Sequence, residues 1–199
     1  MKEITEGIET TGIKAGVIKV ATGYGCISTY EEGALRAAAR ASKETGVPII
    51  THTEGGTMGP EQADLLISEG ADPKRIVIGH ACGSADLNYH AVILKKGVYL
   101  GFDRLGIELP PVSMPDCIKK ACILGLIGLG YANRIVLSHD FPIWVLGRPV
   151  EEFKAQVLPN WHPRHVFTRF IPALKEAGQT DTQLNAIMIE NPKRLFGGE

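Results

Sequence analysis

The chain has 199 residues, 44% of them hydrophobic, and a formal net charge of -1. That length and composition predict one domain with a substantial core and argue against a disordered chain. With so little net charge there is no broad basic field, so neither nucleic acid nor an anionic membrane is an expected partner, whereas a small neutral substrate is compatible.

Apolar stretches reach about strand length before Gly, Lys or His interrupts them, well short of the roughly 20 residues of a membrane helix. The opening MKEITEGIETTGIKAG lacks the basic head and apolar segment of a signal peptide. Cys26, Cys82, Cys117 and Cys122 form no C-x-x-C pair, which predicts free thiols in a reducing, cytoplasmic setting.

Strand and helix patterns alternate with short connections, the signature of βαβ units and a parallel sheet. Strands are predicted near residues 15–20, 47–52, 75–80, 97–103 and 134–139. Between the first two, YEEGALRAAARASKETG predicts a helix, with Glu31 and Glu32 at its start, alanines within and Gly46 at its stop. PEQADLLISEG opens with Pro60 at a first helical position and ends at Gly70. Ala85 to Lys96 is a further helical connector, stopped by Gly97. Met114 to Gly130 also predicts a helix, in which Gly125 and Gly128 imply close backbone packing. After Asp140, FPIWVLGRPVEEFKAQVLPNWHP is too long for an ordinary βα loop and reads as an irregular, functional segment. VFTRFIPALKEAG and DTQLNAIMIENPKRLF predict two closing helices, the second capped by Asp181.

Lys19, His52, His80 and Asp140 lie at or near the carboxyl ends of four predicted strands. In a parallel barrel those ends share one face, so residues distant in sequence converge there, and metal chemistry is the first reading. Lys19, flanked by Val17, Ile18, Val20 and Ala21, is expected in a strand covered on both faces, where a free ammonium is costly to desolvate. It is therefore read as a carbamate that ligates metal, as a Schiff-base amine, or as one half of an ion pair. Strand alternation turns Thr51 and Thr53 away from His52, leaving a single imidazole facing inward. A second imidazole, His80, follows Gly79, and imidazole suits zinc-like ions. Of the adjacent His139 and Asp140 only one can point inward from a regular strand. Asp140 is chosen, because a carboxylate both ligates metal and takes a proton from a metal-activated water. His139 is then expected to make a structural hydrogen bond outside. His90, His162 and His165 are read as packing or surface residues, the last two also as a conceivable metal pair, and Cys82 as a small apolar filler.

IKAGVIKVAT, GVPIITHT, EGADPKRIVIGH, the GFDRLG run, RIVLSHD and the closing ENPKRLF together resemble the phosphotriesterase family of the amidohydrolase superfamily, over essentially the whole chain. GFDRLG and the long final loop are more similar to its phosphotriesterase-like lactonases. The resemblance implies an α/β fold, a TIM (β/α)8-type barrel, here incomplete: the five predicted units correspond to strands 4 to 8, with the first three outside the chain. It implies that Lys19 is carboxylated and bridges divalent ions, that His52 and His80 hold the more exposed ion, and that Asp140 holds the other and shuttles a proton. Arg104 matches an arginine lining the substrate pocket, and Phe141 and Trp144 would form part of that pocket's wall. The family's first-strand His-x-His pair occurs nowhere in this sequence, so one divalent ion (zinc, or cobalt, iron or manganese) is expected rather than two. Relatives place an aspartate three residues after the histidine matching His80; here it is Gly83, so a relay through it is absent or rebuilt with Asp86.

The leading expectation is a metal-dependent hydrolase of lactones or esters, with phosphotriester cleavage as a side activity. A Schiff-base aldolase is a second reading, because IKVATG resembles the lysine strand of class I aldolases, and such chemistry needs no metal. The third is a barrel fragment of weak or no activity that self-assembles. Five parallel strands leave two raw edges, so a homo-oligomer covering the opening is expected.

Overall fold

A computed structural model of the chain describes residues 1–110, 113–145, 147–149 and 151–197. Five strands, β1 (Ile18–Thr22), β2 (Ile49–Thr53), β3 (Ile76–Ile78), β4 (Tyr99–Phe102) and β5 (Ile135–Leu137), form one sheet in sequence order. Every neighbouring pair is parallel. The architecture is α/β and consistent with part of a TIM barrel.

A short α1 (Lys2–Thr5) precedes the sheet. The connections are then helical: α2 (Thr29–Thr45), α3 (Gly59–Ser68), α4 (Leu87–Leu94) and α5 (Asp116–Gly128). Helix α2 begins where its sequence signals it. Ser28 and Glu31 form a capping box, satisfying two otherwise orphan N–H groups, and Gly46 ends the helix at φ 73°. Alternation along the strands sorts the two faces. Ile49, Ile76, Ile78, Leu100 and Ile135 pack outward against Leu35, Leu66, Ile93, Ile123 and Leu126 of the helices, in one continuous core. On the inner face Val77 and Tyr99 meet Leu195, with Ile50 and Val136 packed beside them.

Leu195 belongs to α9 (Asn191–Gly197), which follows α7 (Ile171–Glu176) and α8 (Asp181–Asn185). Asn191 ties α9 down by donating to the carbonyls of Ala132 and Ile135 at 2.9 and 2.7 Å. Five-residue π turns at Val166–Phe170 and Ala186–Glu190 lead into α7 and join α8 to α9.

Three sequence expectations need correction. Lys19 is not covered on both faces: among the described residues β1 pairs only with β2, and the residue as a whole is exposed, with its ammonium part-buried against the Thr51 carbonyl. The segment after Asp140 is not wholly irregular, since it holds a two-stranded hairpin, β6 (Trp144–Val145) with β7 (Arg148–Pro149), and then α6 (Glu151–Val157). Finally, Thr180 rather than Asp181 caps α8, through a capping box with Gln183. Asp181, one residue later, contributes its charge to the first turn.

Candidate metal and hydrolase site

At the carboxyl ends of the strands the structure brings together His52, His80, Arg104 and Asp140, while Lys19, expected at a strand end, is the second residue of β1, in register with Ile50. His80 and Asp140 both stand beyond their strands, in the left-handed region at φ 56° and 46°. Such backbone is costly for a residue with a Cβ and persists where surrounding contacts over-determine it. At His80 those contacts are visible. Its backbone N–H donates to both Asp103 oxygens at 2.9 and 3.0 Å, and its ring Nδ1 lies 2.8 Å from Asp103 Oδ1. At Asp140 the turn, not strand alternation, separates its side chain from that of His139. His139 faces outward as expected, its Nε2 accepting the Val166 N–H at 3.2 Å.

Asp103 can approach because Gly79 has no side chain. A Cβ there would lie 2.3 Å from the Thr51 carbonyl oxygen and 3.0 Å from Asp103 Oδ2. His52 is anchored from behind, where Gln62 of α3 donates to the His52 carbonyl at 2.8 Å and to Thr22 Oγ1 at 2.7 Å. The two imidazoles meet edge to face with centroids 4.6 Å apart. Across from them Lys19 Nζ donates to the Thr51 carbonyl at 2.9 Å. Asp140 Oδ2 lies 3.2 Å from Arg104 Nε and 4.0 Å from His80 Nε2.

Burial lowers the pKa of the Lys19 ammonium, opposed by the Asp103 and Asp140 carboxylates. His52 is lowered chiefly by burial, against its hydrogen bond to Glu54. The thiol of Cys82 is pushed up to about 12 by burial and by Asp103, so it stays protonated and fills space, as read from the sequence. The four cysteines are free.

A cavity of about 390 Å³ opens beside these groups, with Lys19, His80, Asp103 and Asp140 at its polar end and Val77 and Leu195 at its apolar end. Phe141 and Trp144 do not line it, and Arg104 and His52 meet it only through their contacts with Asp140 and His80. Phe141 packs on Trp161, centroids 5.8 Å apart, under the ammonium of Lys154, and Trp144 is 61% exposed. Asp86 does not reach His80 either. It is exposed and accepts the Asn88 N–H at 2.8 Å as the N-cap of α4.

Two carboxylates at the site escaped the sequence reading. Asp103 directly follows β4 and Glu54 directly follows β2, with Glu54 Oε2 3.0 Å from His52 Nε2. Both stand at strand ends, the signal that singled out the other four. Among the described residues, no group of three or more His, Cys, Asp or Glu side chains is already arranged around an ion position. The donor chemistry nevertheless suits one divalent ion: each imidazole spends one nitrogen on a carboxylate and keeps the other, with Asp140 and Lys19 adjacent.

The sequence profile of the Phosphotriesterase family matches residues 1–196. The chain belongs to the phosphotriesterase family. It is 40% identical over 197 residues to a phosphotriesterase homology protein of Mycobacterium tuberculosis, covering 98% of this chain and 59% of that one. Against an aryldialkylphosphatase of Saccharolobus solfataricus the identity is 38% over 198 residues, covering 98% and 62%. A mutant of a phosphotriesterase-like lactonase from Deinococcus radiodurans superposes with a TM-score of 0.93 at 45% identity, covering 98% of this chain and 62% of that one. The chain thus spans about three-fifths of the length of the relatives it matches.

Proposed function

We propose that this family member acts as a metal-dependent hydrolase of lactones or related esters, with organophosphate triesters as secondary substrates. The observation that carries the reading is the convergence of Lys19, His80 and Asp140 on one cavity, with His52 in ring contact with His80 and Arg104 beside Asp140. The names of the aryldialkylphosphatase and lactonase relatives support the bond type.

One divalent ion, of the zinc, cobalt, iron or manganese class, would be held by His52 and His80, with Asp140 and a carboxylated Lys19 as further donors. When bound, such an ion lowers the pKa of water and polarises the carbonyl or phosphoryl oxygen under attack. The remaining work falls to the chain itself. Asp140 collects the proton of the attacking water on its carboxylate, and Arg104 Nε, 3.2 Å away, steadies that carboxylate. Arg104 would also orient the substrate oxygen. The apolar end of the cavity, around Val77 and Leu195, excludes water and suits an acyl chain.

Protein purified without chelator is expected to carry about one equivalent of divalent metal per chain and to hydrolyse lactones in a chelator-sensitive manner. Absence of bound zinc, cobalt, iron and manganese, together with no metal-dependent hydrolysis, refutes the reading. A self-assembling scaffold is the second reading, favoured by the unpaired edges of β1 and β5.

A further inference from the structure

The turn after β2, Glu54–Gly56, is built in unusual detail for a surface connection. Gly55 and Gly56 are both left-handed, at φ 58° and 65°. The Glu54 carbonyl accepts the Thr57 N–H at 3.1 Å and the Thr57 hydroxyl at 2.8 Å, and that hydroxyl in turn accepts the Gly25 N–H at 2.9 Å. Gly56 lies directly against the turn after His80: a Cβ on Gly56 would stand 2.5 Å from Ser84 N, and one on Gly83 would stand 2.7 Å from Gly56 N. Backbone therefore packs on backbone, and neither position has room for a side chain. The product of this construction is the placement of one carboxylate, Glu54 Oε2, 3.0 Å from His52 Nε2.

His80 is treated in the same way with the nitrogens exchanged. Its Nδ1 faces Asp103 Oδ1 at 2.8 Å, leaving Nε2 toward Asp140. An ionised carboxylate only accepts, so the ring nitrogen facing it carries the proton and the opposite nitrogen keeps the lone pair. Applied to His52, this puts the proton on Nε2 and the lone pair on Nδ1.

We infer that Glu54 is a positioning residue, which holds His52 as the Nε2–H tautomer and leaves Nδ1 as its donor to a divalent ion. The inference rests on the proposed metal-dependent reading of the site. It also gives Gly83 a structural reason. A carboxylate on residue 83 would collide with the Gly56 backbone, so the turn that aims Glu54 and a side chain at 83 exclude each other.

Long-range 1H–15N spectra of metal-free, 15N-histidine-labelled protein report the tautomer of each ring directly. The full chain is expected to show His52 as Nε2–H and His80 as Nδ1–H. Glu54→Gln should lose the His52 preference, keep that of His80, retain its melting temperature, and bind zinc or cobalt roughly 10 to 100 times more weakly in competition with a chromophoric chelator. His52 found as Nδ1–H in the parent chain overturns the inference, as does a Glu54→Gln variant with unchanged tautomer and metal affinity. A chain that takes up no metal in either form refutes the metal-dependent reading instead, and the tautomer spectra then still decide the role of Glu54.

Discussion

Asp103 accepts from the His80 backbone N–H and pairs with its ring through a single carboxylate, so it sets both the strained backbone and the orientation of the imidazole. Replacing Asp103 by Asn keeps the shape but removes the anion that stabilises two donors. A loss of about 1–3 kcal/mol in urea unfolding is expected, together with a mixed His80 tautomer by NMR. Gly79 is the complementary case. An alanine there would drive its Cβ to 2.3 Å from the Thr51 carbonyl oxygen, inside the sheet, where backbone cannot yield cheaply. Gly79→Ala should destabilise by roughly 2 kcal/mol or more, read as a lowered denaturation midpoint at unchanged slope.

At the scale of elements, the loop carrying Arg104 is fastened to α5 by a buried lysine. Lys119 Nζ donates to the carbonyls of Arg104 and Ile107, both at 2.7 Å, and to Asp116 Oδ1 at 2.9 Å. Asp116 also accepts the Gly106 N–H and pairs with His165 Nε2 at 2.6 Å, so one carboxylate joins the loop to the segment leading into the closing helices. Lys119→Met leaves Asp116 without its ammonium and two carbonyls without donors. A cost of about 3–5 kcal/mol in chemical denaturation is expected. Helix α4 carries a different buried group. His90 is fully buried, its Nε2–H donates to the Ala81 carbonyl at 2.9 Å, and its Nδ1 has no hydrogen-bond partner among the described residues. Burial lowers its pKa from 6.5, against the Ala81 hydrogen bond and the Asp86 charge. The unfolded chain therefore binds this proton more readily than the folded one, so stability is lost as pH falls through and below the unfolded value. His90→Leu should flatten that acid-side fall in denaturation series between about pH 7 and 5, while losing about 1 kcal/mol at neutral pH with the Ala81 bond.

For the molecule as a whole, the outer edges of β1 and β5, strands paired on one side only among the described residues, are the feature of consequence. Parallel edges of this kind present unsatisfied N–H and C=O rows, and the inner face beside them is only partly covered by α9. A second copy is the expected cover, and multi-angle light scattering should return at least twice the chain mass at micromolar concentration. A monodisperse monomer contradicts this. The described helices include none long and apolar enough to cross a membrane.

The parallel order of the five strands and the helices between them were legible in the sequence because alternating apolar periodicities and glycine stops are local signals. So were Lys19, His52, His80 and Asp140, since each adjoins an apolar run that ends on the same face. Asp103 and Glu54 lie beside equally clear runs, yet their significance depends on which ring nitrogen they meet, and that distance exists only across strands. Phe141 illustrates the converse: its type suits a pocket wall, but Trp161 and Lys154, distant in sequence, draw it to another surface. The sequence by itself determined the family, the fold class and the types of donor available. Tertiary structure alone decided which carboxylate pairs with which imidazole, because a hydrogen bond depends on ångström-scale approach that glycine contacts such as Gly79 with Thr51 and Gly56 with Gly83 permit.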